Sequence, residues 1–207
     1  MKIEPKDLEN SGYILFEQLK HGELLVFISE KSKSKGIFFY LFLLSVIIPI
    51  PILSFTLTLN IMTDSIGWVD GLLYSLLGVG LAMIFTPVHE LLHAVAYKIV
   101  GARNISFYSN FKKFYFATIS NKSVVNLRAF KIVAFFPFLT VVIISILLFP
   151  YVIISWKIVI LSFVATHNLF CSGDFTLSNY MQNNRHRGIV TYDDTEKEET
   201  YFYIRKE

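Results

Sequence analysis

Four long apolar runs constrain this chain more than any other feature: residues ~37–60, ~71–100, ~130–150 and ~152–175. Each is close to or longer than the roughly 20 residues a helix needs to cross the hydrocarbon core of a bilayer. A soluble domain of this size has no place to bury all four. The wider composition agrees, with 54% hydrophobic and 17% charged residues among 207. Phe (20) and Tyr (11) are abundant, which suits lipid-facing surfaces and interfacial belts. The class indicated is a multi-pass membrane protein. A net charge of +3, spread in patches, implies no nucleic-acid partner. The lone Cys171 excludes an intramolecular disulfide framework and a Cys-rich zinc site.

The segments between the runs differ in charge. Lys and Arg crowd into residues 1–36, into 101–128 and into the tail, while the other two connections hold almost none. Cytosolic loops carry the excess of Lys and Arg, so four spans with both termini in the cytosol are expected. The largely polar residues 1–36 do not read as a cleavable signal peptide, which makes the first span an uncleaved anchor. The division is a cytosolic arm (1–36), a membrane domain (37–175) and a cytosolic tail (176–207). Within the arm, 13–16 and 24–28 read as a short hairpin or an interfacial helix. Within the membrane domain, 101–128 reads as two strands, Ile105–Tyr108 and Phe114–Ile119, around a turn at 110–113. In the tail, 188–192 and 200–204 read as a second hairpin around an acidic turn. The expected fold is therefore all-α: a bundle of about four transmembrane helices with small cytosolic β-hairpins.

Chemistry enters in the second run, at Thr86-Pro87-Val88-His89-Glu90-Leu91-Leu92-His93-Ala94. His89 and His93, four apart on a helix, share one face and can hold one metal ion between them. Glu90 stands beside them, able to accept a proton from an attacking water. Ionisable side chains are costly inside a membrane and mark function by default. Pro87 removes a helical hydrogen bond and kinks the span just before the motif. Gly78, Ala82 and Thr86 form a small-residue stripe that lets another helix approach closely.

A catalytic zinc takes three protein ligands and keeps one open position. His89 lies 18 residues past Gly71, roughly 27 Å along a straight helix. Asp174 lies 17 residues past Lys157 on the fourth run, roughly 26 Å by the same rise. Both runs point the same way, so Asp174 reaches the depth of His89 and is the expected third ligand. His167, seven residues earlier, is the rival, about 10 Å deeper. Asn168 is a candidate hydrogen-bond donor to the oxyanion of peptide hydrolysis. His/His/carboxylate favours zinc over other divalent metals.

Several features together resemble a bacterial family of zincin-type membrane peptidases. They are the apolar His89-Glu90-x-x-His93 span, the strand-rich segment after it, Phe136-Pro137-Phe138, Ser172-Gly173-Asp174 and Tyr201-Phe202-Tyr203. The chain is more distantly similar to site-2 proteases, which cleave membrane-anchored substrates in or near the bilayer. The resemblance implies His89, His93 and Asp174 as metal ligands and Glu90 as base. It departs from site-2 proteases at the third ligand, where those have Asp followed by Gly; here Gly173 precedes Asp174 and Phe175 follows. The expected partners are membrane lipid and a peptide or membrane-protein substrate. The alternative is a non-enzymatic metal-binding membrane protein, a sensor or immunity-type factor.

Overall fold

The computed structural model describes residues 4–110 and 115–206. Its helices are α1 (Leu24–Lys31), α2 (Ile37–Ile47), α3 (Pro49–Met62), α4 (Trp68–Ile84), α5 (Thr86–Ile99), α6 (Leu127–Leu148), α7 (Ile154–Phe170) and α8 (Ser172–Asn183). Its strands are β1 (Tyr13–Lys20), β2 (Ile105–Asn110), β3 (Tyr115–Ser120), β4 (Val125–Asn126), β5 (Val190–Asp194) and β6 (Glu199–Arg205). Of the expected turn at 110–113, Asn110 is the last residue of β2, and 111–113 together with Phe114 lie outside the described residues.

The all-α bundle is not what forms. The strands make two antiparallel sheets, one of order β1-β6-β5-β4 and one of β2 with β3. Both expected hairpins are present, but the second is the middle of a larger sheet. The N-terminal arm supplies β1, which pairs with β6 from Tyr13↔Arg205 to Lys20↔Glu199. The physical reason is burial on both faces of β6. Phe202 and Ile204 pack with Phe27 of α1 and with Tyr180 and Met181 of α8. Tyr201 and Tyr203 point the other way, onto Leu8, Tyr13 and Val190. Side chains alternate across a strand, so both faces can be covered only if the arm and the tail fold together.

The four apolar runs are not four straight spans either. Ile37–Met62 and Leu127–Tyr151 are each long and apolar enough to cross a membrane. The first is interrupted at Ile48, where Pro49 takes the first position of a new helix turn. The other two runs are broken pairs, α4 with α5 and α7 with α8, which raise the number of candidate spans to four if each pair counts as one. The first break falls at Phe85, with Pro87 in the opening turn of α5 rather than inside a continuous helix. The second falls at Cys171, and α8 runs on to Asn183 through residues expected to be polar tail.

The chain packs as two units. The first comprises residues 1–39, 88–137 and 173–207, and holds both sheets. Besides the clusters on β6, it contains a third core, where Ala96 and Tyr97 of α5 meet Val125 and Val133. The second comprises 40–87 and 138–172 and is helical. There α4 meets α7 backbone to backbone at Gly78. A Cβ at Gly78 would run into the Val159 carbonyl and lie 2.7 Å from Ser162 Cβ. One at Gly80 would meet nothing within 4 Å. Gly78→Ala is therefore expected to destabilise the unit by roughly 1–3 kcal/mol through overpacking. Gly80→Ala is expected to be close to neutral. Thermal unfolding of the two variants in the same detergent checks the contrast; equal shifts would refute the close approach.

Candidate metal centre

The site is built on two helices of the first unit. In α5, His89 and His93 are one turn apart and both are 7% exposed. Their Nε2 atoms are 3.0 Å from each other. Asp174 lies in the first turn of α8. Its Oδ2 is 3.5 Å from His89 Nε2, and its Oδ1 is 3.4 Å from His93 Nε2. Three donor groups thus converge on one point from two segments more than 80 residues apart in sequence.

These separations can be tested against a metal. Zinc binds His nitrogen and carboxylate oxygen at about 2.0–2.2 Å, so tetrahedral donors stand roughly 3.3 Å apart. The observed 3.0, 3.4 and 3.5 Å bracket that value. The donor chemistry fits too, being two imidazoles and one carboxylate.

The ring of His93 is oriented from behind. Its Nδ1 is 2.9 Å from the carbonyl oxygen of Val133 in α6. A carbonyl can only accept, so Nδ1 carries the proton and Nε2 of the neutral ring presents its lone pair to the cluster. Hydrogen bonding of the far nitrogen to a carbonyl is the usual way a metal-binding imidazole is fixed in tautomer and angle. Val133 was not foreseen, and no sequence signal could mark it, because the partner is backbone.

Glu90 completes the group. Its carboxylate and the two imidazoles offer ligand atoms within 4.8 Å of one another. Its Oε2 is buried and finds no hydrogen-bond partner among the described residues. A buried carboxylate oxygen left unpaired is costly unless it has a task. The backbone at Glu90 is tied to the β2–β3 hairpin, since Thr118 Oγ1 donates to its carbonyl oxygen at 2.7 Å. That bond sets β3 alongside the motif helix. It too has no sequence signal, because alternation marks the strand but not its register against the helix.

The remaining expected residues lie in the second unit. His167 is on α7, with Nδ1 3.8 Å from Cys171 Sγ and its ring stacked on Phe163. Asn168 donates from Nδ2 to the Ser45 carbonyl at 2.8 Å, a bond that ties α7 to α2. His89, Glu90, His93 and Asp174 are brought together; Asn168 is engaged in helix packing.

Residues 82–187, half of the chain, match the family model DUF3267, described as "Putative zincin peptidase". The matched segment contains the motif helix, the β2–β3 hairpin and Asp174. No curated protein and no solved structure matches the chain.

Proposed function

We propose, from the premise that this chain belongs to the zincin peptidase family just matched, that it is a membrane-embedded zinc metallopeptidase. It hydrolyses a peptide bond in a membrane or membrane-proximal substrate, near the cytosolic face. The single observation that carries the reading is the convergence of His89, His93 and Asp174 beside the unpartnered Oε2 of Glu90.

In this reading His89, His93 and Asp174 hold the zinc, which when bound supplies Lewis acidity and lowers the pKa of water to about 7. Glu90 accepts the proton of the attacking water and delivers it to the leaving amine. Val133 holds the His93 ring in its angle through Nδ1. Burial of both imidazoles limits bulk water and strengthens every charge interaction within the site. The membrane placement rests on the apolar helices, and the cytosolic side rests on the Lys and Arg of the segments flanking the motif. A site-2-protease-like action, cleavage in or close to the bilayer, is the reading that a motif directly after a broken apolar helix supports.

The β2–β3 hairpin is the proposed substrate platform. Among the described residues its two strands pair with each other, leaving outer edges for an extended peptide. Proline at a β3 position whose N–H faces away from β2 removes a backbone donor from the outer edge. The expected result is a KM raised roughly tenfold, the loss of about one hydrogen bond, with zinc content unchanged. Equal loss of zinc would make the hairpin a folding element instead. Zinc analysis of the purified chain, paired with membrane proteomes from cells carrying wild type or a Glu90 variant, tests the function as a whole. A substrate should accumulate uncut in the variant.

A further inference from the structure

A second cleft lies in the first unit, with a volume of about 770 Å³. That is within the usual range for small-ligand sites. Five cations line it: Arg128, Arg185, Arg187, Arg205 and Lys206. No carboxylate is among the described residues of the lining. None of the five forms an ion pair among the described residues. Uncompensated charge in a concave wall focuses a positive potential, which is unfavourable to the fold and favourable to a bound anion.

Two of the arginines are also held in place. Arg187 lies over the ring of Phe16, with Cζ 4.4 Å from its centroid. Arg205 reaches the Tyr13 hydroxyl through Nε at 3.5 Å and lies over the same ring. Its stem packs on Gly188, whose φ of +62° and lack of a Cβ make the space for it. A guanidinium fixed before its ligand arrives gives up less entropy on binding. A merely solvated basic face would not need such supports.

The remaining wall gives the ligand's source. Arg128 is the second residue of α6, and the segment from Leu127 to Tyr151 is one of the two long enough and apolar enough to cross a membrane. The cleft therefore opens at the polar end of a span, the level at which lipid headgroups lie. Basic pockets at that level take phosphate headgroups.

We propose that this cleft binds the phosphate of an anionic membrane phospholipid, held by the guanidinium groups of Arg128, Arg185, Arg187 and Arg205. The site is separate from the metal centre and does not depend on its chemistry. A bound headgroup would pin the four-stranded sheet to the membrane surface.

The test uses the full chain in zwitterionic detergent, titrated with phosphatidylglycerol, phosphatidylcholine or inorganic pyrophosphate and read by native mass spectrometry. The expected result is saturable binding of phosphatidylglycerol and none of phosphatidylcholine. Arg128 and Arg185 are exposed, so the double variant Arg128→Gln/Arg185→Gln should fold, with unchanged zinc content as the check. It should bind phosphatidylglycerol roughly thirtyfold more weakly, from two lost surface cations. Lys33→Gln, outside the cleft, should bind as wild type. Equal uptake of both lipids, or unchanged affinity in the double variant, would overturn the site. Binding of pyrophosphate without phosphatidylglycerol would overturn the lipid source in favour of a soluble anion.

Discussion

Glu90→Gln is expected to lower peptide hydrolysis by roughly two to four orders of magnitude, the usual contribution of a general base, while zinc content stays at the wild-type level. Glutamine keeps the length and shape of the side chain, so the packing of α5 should survive. It cannot accept a proton. The two imidazoles are positioned by helix geometry and by the Val133 carbonyl, neither of which involves the Glu90 carboxylate. Its Oε2 has no partner to lose among the described residues, so the substitution breaks no bond there. His89→Ala should behave differently, losing zinc and activity together, because His89 Nε2 is one of the three converging donors. Metal analysis and single-turnover cleavage of the same preparations separate the two outcomes. Full activity in Glu90→Gln would sink the mechanism. A cellular phenotype unchanged by Glu90→Gln and abolished by His89→Ala would instead make metal binding, without hydrolysis, the function.

What the sequence revealed of this molecule depended on the range of the interaction involved. The His89–His93 pair is an i, i+4 feature and was legible at once. The two hairpins were legible from local alternation and turn residues. The partnership of β1 with β6 was not, because it joins the first and last stretches of the described chain. Residues 13–16 and 24–28 read as a hairpin or an interfacial helix, whereas the first forms part of β1 and the second part of α1. For the first, only the edge of β6 that β5 leaves free decides between strand and helix, and β1 takes it. The break before the motif was legible from Pro87, although it falls at Phe85; the one at Cys171 was obscured, since no proline marks where that apolar run bends. Two straight helices would bring Asp174 to the depth of His89, but neither apolar run is straight. Both break about one turn before the residue in question, Phe85 before His89 and Cys171 before Asp174. The juxtaposition of Asp174 with the His pair is thus a property of α5 and α8 in one unit. The Thr118 and Val133 contacts were beyond reach, because a backbone carbonyl has no signature in sequence.

That geometry makes the third ligand open to a decisive comparison. Asp174→Ala is expected to weaken zinc binding by at least about a hundredfold. Loss of an outer-shell partner already costs 10–100-fold, and here a donor itself is removed. The carboxylate is 3.4 and 3.5 Å from the two imidazole nitrogens, so no other described group of the first unit is set to replace it at the same point except Glu90. If Glu90 did swing in as a ligand, zinc would be kept and the base lost, giving the metal-loaded, inactive behaviour of Glu90→Gln. Asp174→Asn isolates the charge, keeping an oxygen donor of the same size while removing the anion that neutralises the metal. Its affinity should fall between wild type and Asp174→Ala. His167→Ala is the matched control and should retain zinc. Competition against a chromogenic chelator gives all four affinities on one scale. Zinc retained by Asp174→Ala and lost by His167→Ala would move the third ligand to α7 and require the motif helix to work with the helical unit instead.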